Sequence, residues 1–150
     1  MNLINLFGIK KILPSLSNKY NIPVSVLIPA RNEEANIMKC LRSVLKQNYD
    51  NLEIIVLNDN STDRTEELIN SITDKRLRVI QGKVLEKEWV GKNFACHQLQ
   101  TEASGDYLLF IDADTEMSDD CISGIIAFAE ENKTGLLSIM PYEESQTFWE

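Results

Sequence analysis

Two aspartates one residue apart, Asp112-Ala113-Asp114, directly follow an apolar run at 107–111. In an extended segment, side chains two residues apart face the same way. Two carboxylates so placed repel each other unless a cation sits with them, and hard oxygen ligands suit Mg2+ or Mn2+. Mg2+ is commonly held by one or two carboxylates while substrate phosphates complete its shell. The pair therefore predicts a phosphorylated ligand, with solvated loop acids as the plain alternative. Asp59 also follows an apolar run, 52–57. A carboxylate there can accept a hydrogen bond from a base or ribose, or serve as a turn or cap residue. Asn58, Ser61 or Asp63 could do that second job instead.

Arg31 stands just before an expected helix start, where amide donors and the helix dipole favour anions. It can grip phosphate with two hydrogen bonds or pair with Glu33 or Glu34. Glu33 either points at the ligand or stabilises the helix. In Gly91-Lys92-Asn93 a cation opens a helix, which is the wrong end for the dipole. A nearby diphosphate would repair the mismatch; an ordinary surface lysine is the alternative. His97 reads as a helix histidine rather than a ligand, and Trp89 either packs under its loop or stacks on a sugar or lipid.

These residues need a scaffold. The chain has 150 residues, the length of one ordinary domain, with a formal net charge of −8. That balance argues against nonspecific nucleic-acid binding and leaves room for one local phosphate site. Cys40, Cys96 and Cys121 lack metal or redox spacing and read as the reduced thiols of a cytosolic protein. A single histidine leaves little material for a zinc site or a histidine-based triad. No apolar run reaches 18 residues. Residues 1–16 space Leu3, Leu6, Phe7, Ile9, Leu13 and Leu16 near a helical period, with Lys10 and Lys11 between them. An amphipathic helix results, lying on a membrane surface or packed on its own domain. Residues 1–21 are thus expected as helix plus linker, and 22–150 as the folded unit.

Within that unit, apolar runs alternate with helical patterns. Strands are expected at 24–28 (stopped by Pro29), 52–57, 77–81, 107–111 and 136–140. Helices are expected from an Asn32 cap through Leu45, from Asp63 through Ile72, over 92–103, and from Ser118 or Asp119 onward. Near-continuous apolar strands alternating with helices imply an α/β fold with a mostly parallel sheet and helices on both faces. Ligands in such sheets bind beyond the carboxyl ends of the strands, where the residues above stand. Neither a P-loop nor a Gly-x-Gly-x-x-Gly turn is present.

Val-Ser-Val-Leu-Ile-Pro-Ala-Arg-Asn-Glu-Glu, then Ile-Val-Leu-Asn-Asp-Asn-Ser-Thr-Asp, then Gly-Asp-Tyr-Leu-Leu-Phe-Ile-Asp-Ala-Asp together resemble glycosyltransferase family 2. The resemblance spans about residues 23–142. Trp-Val-Gly-Lys-Asn-Phe-Ala-Cys-His-Gln and Gly-Leu-Leu-Ser-Ile-Met-Pro-Tyr are similar to a membrane-associated branch containing carotenoid (diaponeurosporenoate) and hopanoid-associated enzymes. The resemblance implies a GT-A (Rossmann-like) fold and inverting transfer from a nucleotide sugar, in the first place a UDP-sugar, with Mn2+ or Mg2+. It implies an acceptor hydroxyl or carboxylate on a lipid or polysaccharide, at the cytoplasmic face of the membrane. Pro29, Ala30, Arg31 and Glu33 would line the uridine pocket, and Asp59 would accept the uracil imide hydrogen. Lys92 would lie near the diphosphate. Asp112 and Ala113 would face the ribose or sugar, and Asp114, with Asp112 beside it, would hold the metal.

Asn58-Asp59-Asn60 departs from the family's Asp-Asp-Gly, a change that asparagine's tolerance of left-handed geometry can absorb. An inverting transferase also needs a carboxylate base. Glu143, Glu144 and Glu150 do not match the family's base, which is expected beyond Glu150. The chain is accordingly expected to be the donor-binding part of a longer enzyme, inactive in transfer by itself. A noncatalytic nucleotide-sugar-binding or membrane-docking module is one alternative. A sugar nucleotidyltransferase is another, though it would want a glycine-rich basic loop after the first strand.

Overall fold

The computed structural model describes residues 20–139 apart from 86 and 88. The amphipathic helix expected over 1–16 lies outside the described residues. In chain order the elements are β1 (Val24–Ala30), α1 (Ile37–Leu45), β2 (Leu52–Asn58), α2 (Thr65–Asn70), β3 (Leu77–Gln81), α3 (Gly91–Glu102), β4 (Tyr107–Phe110) and α4 (Cys121–Asn132). The strands form one parallel sheet in the order β3-β2-β1-β4. From β1 the chain steps outward through β2 to β3, then crosses back to place β4 on β1's other side. That reversal opens a crevice between the carboxyl ends of β1 and β4.

Alternation along the strands sends side chains to two cores. On one face Val26, Ile28, Ile54 and Val56 pack with Ile37, Leu41 and Val44 of α1, Ile69 of α2, and Ile122 and Ile126 of α4. On the other, Leu27, Ile55 and Leu57 meet Ala95 and Leu99 of α3. Burying each such Leu or Ile contributes about 1.5–3 kcal/mol. Helices therefore cover both faces, as the sequence pattern predicts. None of them, among the described residues, is long and apolar enough to cross a membrane.

Four expectations need correction. Pro29 does not stop β1, which runs on to Ala30 with Pro29 opposite Leu57. The Ile111 amide donates to the Leu27 carbonyl and the Asp59 amide to the Ala30 carbonyl, so odd-numbered β1 residues turn their polar groups toward β4. β4 has already ended opposite Leu27, so the missing N–H of Pro29 faces no partner strand and costs no ladder bond.

Asn32 does not cap a helix. It adopts left-handed geometry (φ 56°), and α1 begins only at Ile37 after a turn at 34–36. Glu33 and Glu34 consequently precede the first helical turn. Helix α4 begins at Cys121 rather than at Ser118 or Asp119: the Ile122 amide donates to Gln47 Oε1 and the Asp119 carbonyl accepts from the Asn48 amide, in place of the i→i+4 bonds an earlier start would make.

Finally, 136–139 forms no strand, and Leu136 is 91% exposed. A strand requires a ladder partner, and none of the described strands offers this segment one. Met140, the last residue of that expected strand, lies outside the described residues.

Candidate functional site

The carboxyl ends of β1, β2 and β4, with the start of α3, enclose an open cleft of about 270 Å3. Its lining includes Pro29, Ala30, Arg31, Glu33, Asp59, Lys92, Asp112, Ala113 and Asp114, so all nine residues singled out in the sequence lie in one place. Parallel strands make this possible, since each delivers its next residues to the same edge. Gly91 and Ala95 complete the lining. They are small residues one helical turn apart, and that i, i+4 spacing on α3 was the available signal for them.

Asp59 is free to act in the cleft because its neighbours do the structural work. Asn58 is buried, takes the Ser61 amide at 3.2 Å and donates to Gln81 at 3.1 Å. Asp63 accepts from the Thr65 amide at 3.0 Å and its hydroxyl at 2.5 Å, securing the start of α2. Asn60 sits at φ 53°, the left-handed geometry expected where the family carries glycine. Gly82 presses on this loop: a Cβ there would stand 3.0 Å from Asp59 Oδ1 and 3.1 Å from its Cα.

Arg31 pairs across the cleft with Asp59 at 3.6 Å, and neither Glu33 nor Glu34 takes it. Glu33 accepts from Asn36 Nδ2 at 3.2 Å, while its amide donates to Thr65 Oγ1 at 2.7 Å. On the opposite wall, Lys92 Nζ donates to Asp112 Oδ1 at 2.7 Å. That hydrogen bond, more than the charge alone, raises the lysine's pKa above its ordinary value.

Asp112 and Asp114 do not lie on an extended segment. The Thr115 amide bonds the Asp112 carbonyl at 3.0 Å, so a turn presents both acids to the cleft. Two acids with oxygen-only donors fit a hard divalent cation. Among the described residues, no group of three or more His, Cys, Asp or Glu side chains is placed to hold a metal ion by itself. A cation here would therefore complete its shell with oxygens of a bound ligand or water.

Beneath the turn lies Cys40, 1% exposed, whose thiol donates to the Asp112 carbonyl at 3.7 Å. Burial first, and then the charges of Asp114, Asp112 and Glu33, push this thiol up to about 12. All three cysteines are free thiols. His97 and Trp89 stay out of the lining and stack on each other at 4.8 Å, with Trp89 also 5.6 Å from Phe94. The tryptophan thus packs its loop onto α3.

The family model for glycosyl transferase family 2 matches residues 25–150. A 4,4'-diaponeurosporenoate glycosyltransferase of Staphylococcus haemolyticus is 37% identical over 121 residues, 79% of this chain and 32% of that protein. The chain thus spans about a third of the length of the curated relatives it matches. Among solved structures, Staphylococcus aureus TarS 1-349 in complex with UDP superposes with a TM-score of 0.64 at 28% identity, over 75% of this chain and 33% of that one. A mannosyltransferase from Pyrobaculum calidifontis in complex with GDP-Man and Mn2+ superposes with a TM-score of 0.65 at 25% identity, again over 75% and 33%.

Proposed function

The chain belongs to glycosyl transferase family 2 and has the GT-A fold of its structural neighbours, and on that premise we propose that its cleft binds the nucleotide-sugar donor of an inverting, metal-dependent sugar transfer. The observation that carries this reading is the convergence of Arg31, Asp59, Lys92, Asp112 and Asp114 at the crevice where the strand order reverses. Asp59, on the β2 side, accepts the imide hydrogen of uracil, while Pro29, Ala30, Arg31 and Glu33 wall the uridine. Asp112 and Ala113 face the ribose or sugar. Lys92, within reach of Asp112, turns to the diphosphate, where a flexible ammonium can follow developing charge.

Asp114 and Asp112 are the residues to hold Mn2+ or Mg2+. When bound, such an ion supplies Lewis-acid stabilisation of the departing nucleoside diphosphate. The UDP complex of one neighbour and the Mn2+ complex of another support this division of labour. Every acid in the cleft is then occupied on the donor side. None of the cleft acids is left to deprotonate the acceptor, and on this reading the cleft binds donor without itself completing transfer.

The relatives' name speaks for a carboxylate acceptor on a carotenoid. Residues 1–16 would hold the enzyme at the cytoplasmic face of the membrane, near such an acceptor.

Calorimetry with UDP and CDP tests the base assignment, because cytosine has no imide hydrogen to donate. UDP should bind at least fivefold tighter than CDP, and Asp59→Asn, which replaces one acceptor oxygen by a donor, should erase the difference. Equal affinity for both nucleotides in the unsubstituted chain would remove Asp59 from the proposed role.

A further inference from the structure

Asp112 and Asp114 stand on a stretch without regular structure, 111–120, between β4 and α4. What holds it is a row of polar residues from α1. Cys40, Ser43 and Gln47, spaced i, i+3 and i+7, share one helical face and its continuation, and all are buried. Cys40 donates to the Asp112 carbonyl at 3.7 Å. The Ser43 hydroxyl donates to the Cys40 carbonyl at 2.8 Å and accepts from the Met117 amide at 3.0 Å. Gln47 Nε2 donates to the Ser118 carbonyl at 2.6 Å, and its Oε1 accepts from the Ile122 amide at 3.0 Å. The amide of Asn48 adds a bond to the Asp119 carbonyl at 2.9 Å.

These contacts grip the backbone at the first residue of the 112–115 turn and again beyond its last, without touching either carboxylate. The helix that bears them is anchored in the core through Ile37, Leu41 and Val44. Metal ligands must be held to about 0.5 Å, which a loop achieves only when its supports are rigid. Apolar residues would have filled these three buried positions at no polar cost, so their hydrogen-bonding atoms call for a reason.

We propose that Cys40, Ser43 and Gln47 are positioning residues, fixing the 112–122 backbone so that Asp112 and Asp114 meet the cation and diphosphate together. The inference rests on the donor-site reading above. Asp59 and Arg31 follow other strands, β2 and β1, and lie outside this clamp, so recognition of the base does not depend on it.

The test compares UDP isotherms of the whole 150-residue chain with Mn2+ chelated and with Mn2+ saturating. Ser43→Ala and Gln47→Met each reduce the Mn2+-dependent gain in UDP affinity at least threefold, while metal-free affinity stays within twofold. A merely structural role would lower both affinities in proportion. Should either variant fail to fold, Cys40 supplies the second pair. Cys40→Ala lowers the gain, and Cys40→Ser, which still donates to the Asp112 carbonyl, restores it.

Undiminished gain in all variants, or equal loss with and without Mn2+, would overturn the positioning role. Absence of any gain in the unsubstituted chain would instead overturn the metal reading of the cleft, and this inference with it.

Discussion

At the amino-terminal edge of the sheet, Glu53 is enclosed by partners; at the carboxyl edge, Asp59 and Asp112 lean on long, exposed cations. Glu53 accepts from the Ser25 hydroxyl, from the Ser104 amide at 2.6 Å and from the Ser104 hydroxyl at 2.8 Å, while the Gly105 amide donates to Ser25 at 2.8 Å. In the cleft, the side chains of Arg31 and Lys92 are 65% and 64% exposed. Ion pairs of that kind contribute about 0–1 kcal/mol. Both edges belong to the same strands, so their difference separates two uses of polar groups. One set ties the α3–β4 connection to the sheet and is complete within the chain. The other pairs its charges through exposed side chains, where the proposed donor would displace them. Substitutions at the first edge should therefore change stability without changing affinity, and substitutions at the second should do the reverse.

The largest effect is expected at Gly105. A Cβ there would lie 2.6 Å from the Ser25 backbone nitrogen and 2.9 Å from the Val24 carbonyl carbon, both in a central strand that cannot give way. Gly105→Val should destabilise the chain by about 3 kcal/mol in urea unfolding, the upper range for overpacking. UDP affinity of the folded fraction should be unchanged. Asp114→Ala should invert this pattern. It should remove the Mn2+-dependent gain in UDP affinity, a tenfold loss or about 1.4 kcal/mol, and leave stability within about 0.5 kcal/mol.

Lys92→Met should weaken UDP binding about fivefold through the loss of one charge-assisted hydrogen bond. Its effect on unfolding should be negligible, because the Asp112 pair is exposed on both sides. A matching fall in stability would erase the contrast between the edges.

The smallest effect concerns acid. Burial alone would raise the Glu53 pKa, but hydrogen bonds from Ser25 and Ser104 outweigh it and hold the carboxyl below its ordinary value. A depressed folded-state pKa contributes stability above the unfolded value, and this is lost as pH falls through the folded one. Asp74, held at about 2 chiefly by its hydrogen bonds from Arg76, behaves alike. Stability should thus decline between about pH 4 and 2. Glu53→Gln should make that decline shallower by its own share while the Asp74 share persists. An unaltered slope in chemical unfolding across this range would contradict the role given to Glu53.

The cleft was legible in the sequence because its chemistry is concentrated directly after strands, and parallel strands deliver those residues to one edge. Arg31, Asp59 and Asp114 needed only the strand pattern to be placed together. The continuation of β1 through Pro29 is hidden from the sequence, because strand direction alone does not reveal which neighbour a residue's amide faces or where that neighbour ends. The role of Asn32 is hidden for a related reason. Its side chain accepts from the Thr62 amide at 2.8 Å, a partner brought near only by the fold. Cys40, Ser43 and Gln47 left no sequence signal, because a polar face on a helix ordinarily meets water. Only the path of 112–122 across α1 turns that face inward. The turn that presents Asp112 and Asp114 depends on the same contacts.

Titrating UDP into the chain with and without Mn2+ tests the central claim most directly. On the proposed donor-site reading, Mn2+ should raise UDP affinity at least tenfold and Asp114→Ala should abolish the increase. UDP binding of equal strength with Mn2+ present and with it chelated would contradict the account.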